Sequence, residues 1–577
     1  MQPGVTRVEV NGVERIDGCL PLRDYALIGD GRTTALVGRD GAIDWLCLPG
    51  CDSPPVFDRL LDAEAGGCFE LAPEQPFEAS RRYRQGTNVL ETTFTTETGS
   101  VRVTDAMTVG DLSQRALARI VDARTGRVPM RWRFEPRFDF GRREPPPELT
   151  LHTWDAGDGS FDLEPGARAT FALRLNAETT TREEVERELE RTSAYWMDWS
   201  GRARYEGPWR DQVVRSALVL KLLQYEPTGA IVAAPTTSLP ERIGGELNWD
   251  YRFSWLRDGI YTMRALLHLG FEAEAEAFFR WQLDATRPAA PEVKPLYCVD
   301  GTVPAAEEEL DLPGYRGSGP VRIGNAATQQ LQLDNYGHLL ESASRLRGET
   351  GSLGSEAGAL LASFADFVAD SWRQPDAGIW EVRDGLHDFV QSKAMCWTAL
   401  DRAATLAAEG ALPDRGSRWR AEADAVHAWI EDKGWDESID SYLPAPDLAG
   451  TADASLLSLA LCAYSSASEP RFASTVEAIR RDLSAGGPLL YRKSDSAERE
   501  GAFLTCSFWL VDVLGRAGRV EEGNELMGEL VQLANDVGLY AAEIDPEFGE
   551  LLGNFPQALV HLALVNAAVS LAEGDES

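Results

Sequence analysis

The stretch NWDYRFSWLRD, residues 248–258, puts four aromatic rings, a Trp–Asp pair and an Arg–Asp pair into eleven residues, then runs straight into apolar, helix-patterned sequence from Gly259. Aromatic faces interleaved with charge-assisted donors and acceptors are what a sugar ring requires. Its C–H face stacks on an aromatic, and each hydroxyl takes a polar partner of fixed geometry. The same residues would also serve as an aromatic helix start with a surface ion pair, so the rest of the chain has to decide. Three further loops carry acids or arginines beside aromatics: GYRGSGPVRIGN (314–325), with Arg316, Arg322 and Asn325; DAGIWEVR (376–383); and GLYAAEIDP (538–546), followed by LGNFPQ (552–557). A lesser one pairs Tyr491-Arg492-Lys493 with Glu500-Gly-Ala-Phe503. An apolar neighbour keeps a carboxyl protonated near neutral pH. Glu381, directly after Trp380, is placed to be a proton donor of that kind, although a surface Glu beside a buried Trp has the same signature.

These loops need a scaffold, and the chain offers two. Up to about residue 180, short segments rich in Val, Thr and aromatics alternate with turn signals, at 25–31, 35–37, 42–48, 88–95, 101–109, 131–138, 149–154 and 167–175. That spacing predicts an antiparallel β-sandwich over residues 1–180. The acids of 155–162 miss the spacing of a calcium loop and read as a turn. TTREEVERELERTSAYW opens with a Thr-x-x-Glu capping box at Thr181 and reads as a helical linker over 181–208. From 209 to 577 apolar positions recur three and four apart in segments 212–225, 259–283, 326–346, 356–372, 392–408, 415–430, 454–464, 474–483, 503–514, 520–533 and 557–571, about a dozen helices with no fixed repeat.

Composition narrows the partners. The 577 residues suit two domains, and a formal net charge of −36 argues against nucleic acid and against an anionic membrane surface. Lys occurs only at 221, 294, 393, 433 and 493, so the positive charge is nearly all Arg. The eight Cys form no CxxC pair and the six His no HExxH motif, so no metal site is expected. The start, MQPGVTRVEVNG, lacks the pattern of a secretory signal, and a cytoplasmic protein with free thiols is expected.

Read together, these motifs resemble glycoside hydrolase family fifteen, the glucoamylases, glucodextranases and bacterial trehalases, in its bacterial two-domain form. YALIGDGRTTALVGRDGAIDWLCLPGCDSPPVFDRLL is similar to the family's trehalase-type N-terminal domain. NWDYRFSWLRD, GYRGSGPVRIGNAATQQLQLD, GIWEVRDGLHDFVQSKAMCWTALDRA, EGAFLTCSFWLVD and LGNFPQALVHLALVNAA follow in the family's order. The resemblance implies an N-terminal β-sandwich, a C-terminal (α/α)6 barrel, and exo-acting, inverting hydrolysis of an α-glucosidic bond with no cofactor. Carried over by position, Glu381 resembles the general acid, and Arg257 and Asp258 the pair that grips the terminal glucose. Arg492 is similar to a second sugar-binding arginine, and Trp249, Tyr315 and Trp380 to pocket walls.

One position departs from the family pattern. The family's base is the first acid of a segment like GLYAEEIDP; here Ala542 stands in that place and Glu543 matches the second acid. A methyl group cannot take a proton from water. Three readings stay open: an introduced Glu-to-Ala change that traps substrate; an enzyme using another group, such as Glu543, Asp545 or a tyrosine-held water; or a protein that binds glucosides without cleaving them. Against Glu543, one step along an extended segment turns a side chain to the other face.

Overall fold

The computed structural model describes residues 7–10, 13–111, 115–175 and 179–575. Its N-terminal part is two antiparallel sheets packed face to face. One runs in the order Leu149–Trp154, Arg168–Leu175, Leu117–Gly126, Gly99–Met107, Leu90–Thr96, Phe77–Tyr83. The other runs Ser160–Leu163, Val128–Glu135, Cys68–Pro73, Ala42–Cys47, Thr34–Gly38, Tyr25–Gly29, with Pro55–Phe57 paired beside Ala42–Cys47. The strands Tyr25–Gly29, Thr34–Gly38 and Ala42–Cys47 are buried along their whole length, because one face meets the sandwich core and the other meets the helical domain.

Helix α1, Arg182–Ser200, leaves the sandwich with the expected capping box. Glu184 N donates to Thr181 Oγ1 at 3.3 Å, and Thr181 N donates to Glu184 Oε2 at 2.8 Å. Twelve more helices follow: α2 Arg210–Leu223, α3 Gly259–His268, α4 Glu272–Thr286, α5 Asp334–Thr350, α6 Ser355–Ser371, α7 Val390–Ala408, α8 Gly416–Lys433, α9 Ser458–Leu461, α10 Pro470–Asp482, α11 Leu504–Arg516, α12 Val520–Leu530 and α13 Ala558–Asp575. Helices α3, α5, α7, α9, α11 and α13 pack each on the next and close an inner ring, while the even-numbered helices α2–α12 lie outside them. This is an (α/α)6 barrel.

Composition marks the ring plainly for α13 and α8. Residues 558–571 contain no Asp, Glu, Lys or Arg and are all buried, as a helix apolar on every side must be. Outer α8 buries one stripe, Trp419, Ala423, Val426 and Ile430, and turns its charges to solvent. The single acid of inner α11, Asp512, is bound by Arg264 of α3 at 2.6 Å and by Ser570 of α13 at 2.6 Å, so one buried ion pair ties three inner helices.

The expected helix over 259–283 is two helices, because Gly270 (φ +79°) turns the chain back between α3 and α4. Residues 326–329 of another expected helix form a separate 3-10 turn before α5.

Inner-to-outer connections are short, as in 269–271 and 517–519. Outer-to-inner connections are long: 224–258, 287–333, 372–389, 434–457, 483–503 and 531–557. All the long loops therefore gather at the N-terminal ends of the inner helices. The sandwich braces them. Trp45 Nε1 donates to Pro235 O at 2.8 Å, Arg252 Nη1 to Ser53 O at 3.1 Å, and Asn535 Nδ2 to Tyr25 O at 2.8 Å, while Arg81 pairs with Asp536 at 2.7 Å.

Candidate active site

Where the long loops converge there is a cavity of about 320 Å³, in the size range of small-molecule clefts. Trp249, Tyr251, Trp255, Arg257, Asp258 and Glu241 come to it from the first loop, Asn325 from the second, Trp380–Asp384 from the third, Arg492, Glu500 and Phe503 from the fifth, and Gln557 from the sixth. Tyr261 of α3 and Trp509 of α11, stacked at 5.2 Å, close its inner end, and Trp380 packs on Trp509 at 6.2 Å. Trp380 is fixed further by its Nε1, which donates to the buried carboxylate of Asp453 in the fourth loop at 2.7 Å.

Glu381 sits in left-handed backbone, φ +57°, which a non-glycine residue holds only when its surroundings impose it. Its Oε1 receives Trp255 Nε1 at 2.7 Å, Arg257 Nη1 at 3.2 Å and Gln332 Nε2 at 3.3 Å. Arg257 Nη1 also donates to Ile379 O at 2.7 Å. Next to it, Asp258 is pushed up to about 6, chiefly by burial, with Arg257 opposing and Glu381 adding to the rise. Arg257 Nε and Asp258 Oδ1 are buried and face each other at 3.6 Å as an ion pair. Both side chains line the cavity and offer a donor and an acceptor to a ligand there.

On the other wall, Arg492 is surrounded by acids. Its Nη2 lies 2.8 Å from Glu241 Oε2 and 3.3 Å from Glu543 Oε1, and it pairs with Glu500, whose Oε1 also accepts from Nε at 3.0 Å. Its guanidinium stands over Phe503 at 5.0 Å and Trp380 at 5.7 Å. Among the described residues Glu241, Glu500 and Glu543 form the one group close enough to share a metal ion. The positive charge among them is already supplied by Arg492.

Of the residues expected from sequence, Trp249, Arg257, Asp258, Trp380, Glu381 and Arg492 line this one cavity. Tyr315 does not, which corrects its reading as a pocket wall. It is fully buried at the domain interface, and its hydroxyl donates to Leu20 O at 3.0 Å. Glu543 is not among the cavity-lining residues either. It belongs to the short strand Glu543–Ile544, has no exposed surface, and accepts from Gly501 N at 2.8 Å. Burial and the neighbouring Glu241 and Glu500 push its carboxyl well up. Ala542 is buried against Gly553. Sequence reasoning passed over Glu241, Tyr251 and Trp255. Two of these lay inside the stretch already singled out, and Glu241 had no signal beyond its place in the adjoining Pro- and Gly-containing loop.

An (α/α)6 barrel with an acid-, arginine- and indole-lined cavity at its loop end, braced by a β-sandwich, is the build of a glycoside hydrolase. The chain belongs to glycosyl hydrolases family 15, whose model matches residues 207–569; residues 17–148 match the model described as trehalase-like, N-terminal. It is 36% identical to a trehalase of Mycolicibacterium smegmatis over 96% of this chain and 92% of that protein. With a trehalase of Thermoplasma volcanium it shares 34% identity, over 97% and 94% of the two chains. In structure it is similar to a bacterial glucoamylase complexed with acarbose, with a TM-score of 0.66 at 13% identity, covering 99% of this chain and 97% of that one.

Proposed function

We propose that this hydrolase releases glucose from the non-reducing end of an α-glucoside with inversion at the anomeric carbon, and that trehalose is its substrate. The observation that carries the reading is the strained Glu381, gripped at Oε1 by Trp255 and Arg257 in a cavity it shares with Asp258. With Oε1 held, Oε2 is the oxygen that meets the substrate, and a proton there passes to the glycosidic oxygen as the bond breaks. The Asp258 carboxylate and the Arg257 guanidinium, which both line the cavity, accept from and donate to hydroxyls of the terminal glucose, with Trp249 and Trp380 as apolar walls. The closed inner end, made by Tyr261 and Trp509, favours one terminal sugar over a through-running chain. Trehalose is favoured by the likeness to proteins named trehalases along nearly their whole length.

A second reading has a specific observation behind it. The position matching the family's base holds the methyl of Ala542, which would leave a protein that binds glucosides without cleaving them. The test is glucose release from trehalose, maltose and isomaltose by this chain and by Ala542→Glu, with the anomer released followed by NMR. Hydrolysis of trehalose to one β- and one α-glucose in equal amounts supports the inverting enzyme, where retention would give α-glucose alone. If neither protein hydrolyses any of the three while calorimetry shows trehalose binding, the binding protein takes its place.

A further inference from the structure

Position 542 cannot act on water, yet a carboxylate from another loop comes close to it and lines the cavity. Gly553, at φ +73°, lies between the two: a Cβ built there would fall 2.9 Å from Ala542 Cβ and 4.0 Å from Glu241 Cγ. Glu241 comes from the first loop, which is pinned on both sides of it. Gly553 N donates to Pro240 O at 2.7 Å, Gly501 N to Glu241 O at 2.9 Å, and Glu241 N to Leu247 O at 3.2 Å. Its side chain lines the cavity, Oε2 held by Arg492 Nη2 at 2.8 Å and Oε1 3.4 Å from the Tyr251 hydroxyl.

Two aromatic rings separate it from Glu381. The Tyr251 ring packs edge-on against Trp255 at 5.5 Å, and Trp255 Nε1 holds Glu381 Oε1 at 2.7 Å. Two carboxyls facing one cavity across the width of two rings have room for a water and a glucosyl carbon between them, as inversion requires.

We propose that Glu241 is the general base of this enzyme, taking the part that the methyl at position 542 cannot. The proposal rests on the hydrolase reading above. Glu241 Oε1 takes a proton from a water whose oxygen forms the new bond to the anomeric carbon. The glycosidic C–O bond breaks with its electron pair on the departing oxygen, which receives the proton of Glu381. One water is consumed, and the two carboxyl groups return to their starting states by exchange with solvent.

Charge around Arg492 suits the role. Three carboxylates face one guanidinium, so they cannot all ionise without excess negative charge in a buried place. Glu543 is pushed well up by burial and its two acidic neighbours. Glu500 is drawn down by Arg492 against its burial. Glu241, raised by burial and by Glu500 and opposed by Arg492, lies at about 7. A base is most effective with its pKa near the working pH.

The experiment is steady-state hydrolysis of trehalose by the full chain and by Glu241→Gln, Glu241→Asp and Ala542→Glu, with folding read by near-UV circular dichroism. Glu241→Gln is expected to lose on the order of 10²–10⁴ in kcat with KM little changed. Glu241→Asp keeps the charge that Arg492 needs and so keeps the fold; drawing the carboxylate back is expected to cost on the order of 10² in kcat. With Glu241→Ala, added azide should restore turnover by attacking the anomeric carbon directly, giving β-glucosyl azide, a product no structural role would yield. A chain that turns over while Glu241→Asp keeps the same kcat overturns the base assignment and leaves the hydrolase standing. An inactive chain beside an active Ala542→Glu overturns Glu241 alone; inactivity of both overturns the hydrolase reading with it.

Discussion

Glu381 and Tyr315 bound what single residues disclosed. Glu381 follows Trp380 and lies in the motif WEVR, so both its chemistry and its family position were legible; its left-handed backbone and its tether through Trp255 were not, because they arise from chain 126 residues away. As the proposed acid, Glu381→Gln should lower kcat for trehalose by on the order of 10²–10⁴ while calorimetric trehalose affinity persists. Equal loss of binding and turnover would make it a sugar ligand instead. Tyr315 stands in an equally persuasive Gly-rich motif, yet its ring turns to the sandwich and donates to Leu20 O. Tyr315→Phe should therefore cost about 1 kcal/mol of stability in urea and leave KM for trehalose unchanged. Glu241 was the reverse case. Nothing local distinguishes one Glu in SLPERIGG, and what does distinguish it, the contact with Arg492, spans 251 residues of sequence.

At the scale of elements, the hydrophobic pattern decided most of the barrel. Charge-free 558–571 could only be an inner helix, and the four-residue stripe of α8 could only be an outer one. The pattern joined α3 to α4 because apolar period continues across the turn at Gly270, where backbone freedom rather than hydrophobicity sets the break. It passed over the strand Phe77–Tyr83, whose exposed face carries Glu78 and Arg82 and whose pairing with Leu90–Thr96 is long-range information. Hydrophobic pattern alone also left unread that the sandwich braces the cavity loops. Trp45 sits in a fully buried strand and reaches Pro235 O, at the root of the loop that carries Glu241, Trp249 and Arg257. Trp45→Phe keeps most of the apolar volume but leaves that carbonyl without its donor, a loss of about 1–3 kcal/mol. We expect a lower urea midpoint together with reduced kcat for trehalose. A stability loss with unchanged kcat would show that the brace serves the fold and not the site.

For the whole molecule, the buried carboxyls divide into two sets that act on stability in opposite directions with pH. Burial pushes Asp258, Asp376 and Asp58 up to about 6, and Asp334 and Glu241 up to about 7. Asp44 and Asp512 are the contrary case: burial would raise them too, but Arg15 and Arg59 hold the first, and Arg264 and Arg516 the second, below the ordinary range. A raised carboxyl binds its proton more tightly in the folded chain than in the unfolded one. Its contribution is complete below about pH 4 and is lost as pH climbs through 6 and 7. A lowered carboxyl contributes above about pH 4 and loses that contribution as pH falls through its folded value. The net charge of −36 at pH 7 adds self-repulsion that also eases as pH falls. All three effects place the stability maximum near pH 5, so the melting temperature should rise from pH 8 to about 5 and drop again below about 4. Each pKa unit corresponds to about 1.4 kcal/mol, so even one such group should move the transition visibly. Asp334 isolates the alkaline limb: both its oxygens are buried without a hydrogen-bond partner among the described residues, beside Asp376 and behind Arg257. Asp334→Asn removes the charge that forms as pH rises, and should narrow the gap between the melting temperatures at pH 5 and pH 8. A gap as wide as that of the unaltered chain would mean that Arg257 fully compensates the carboxylate, and that the acid excess of the surface sets the alkaline limb.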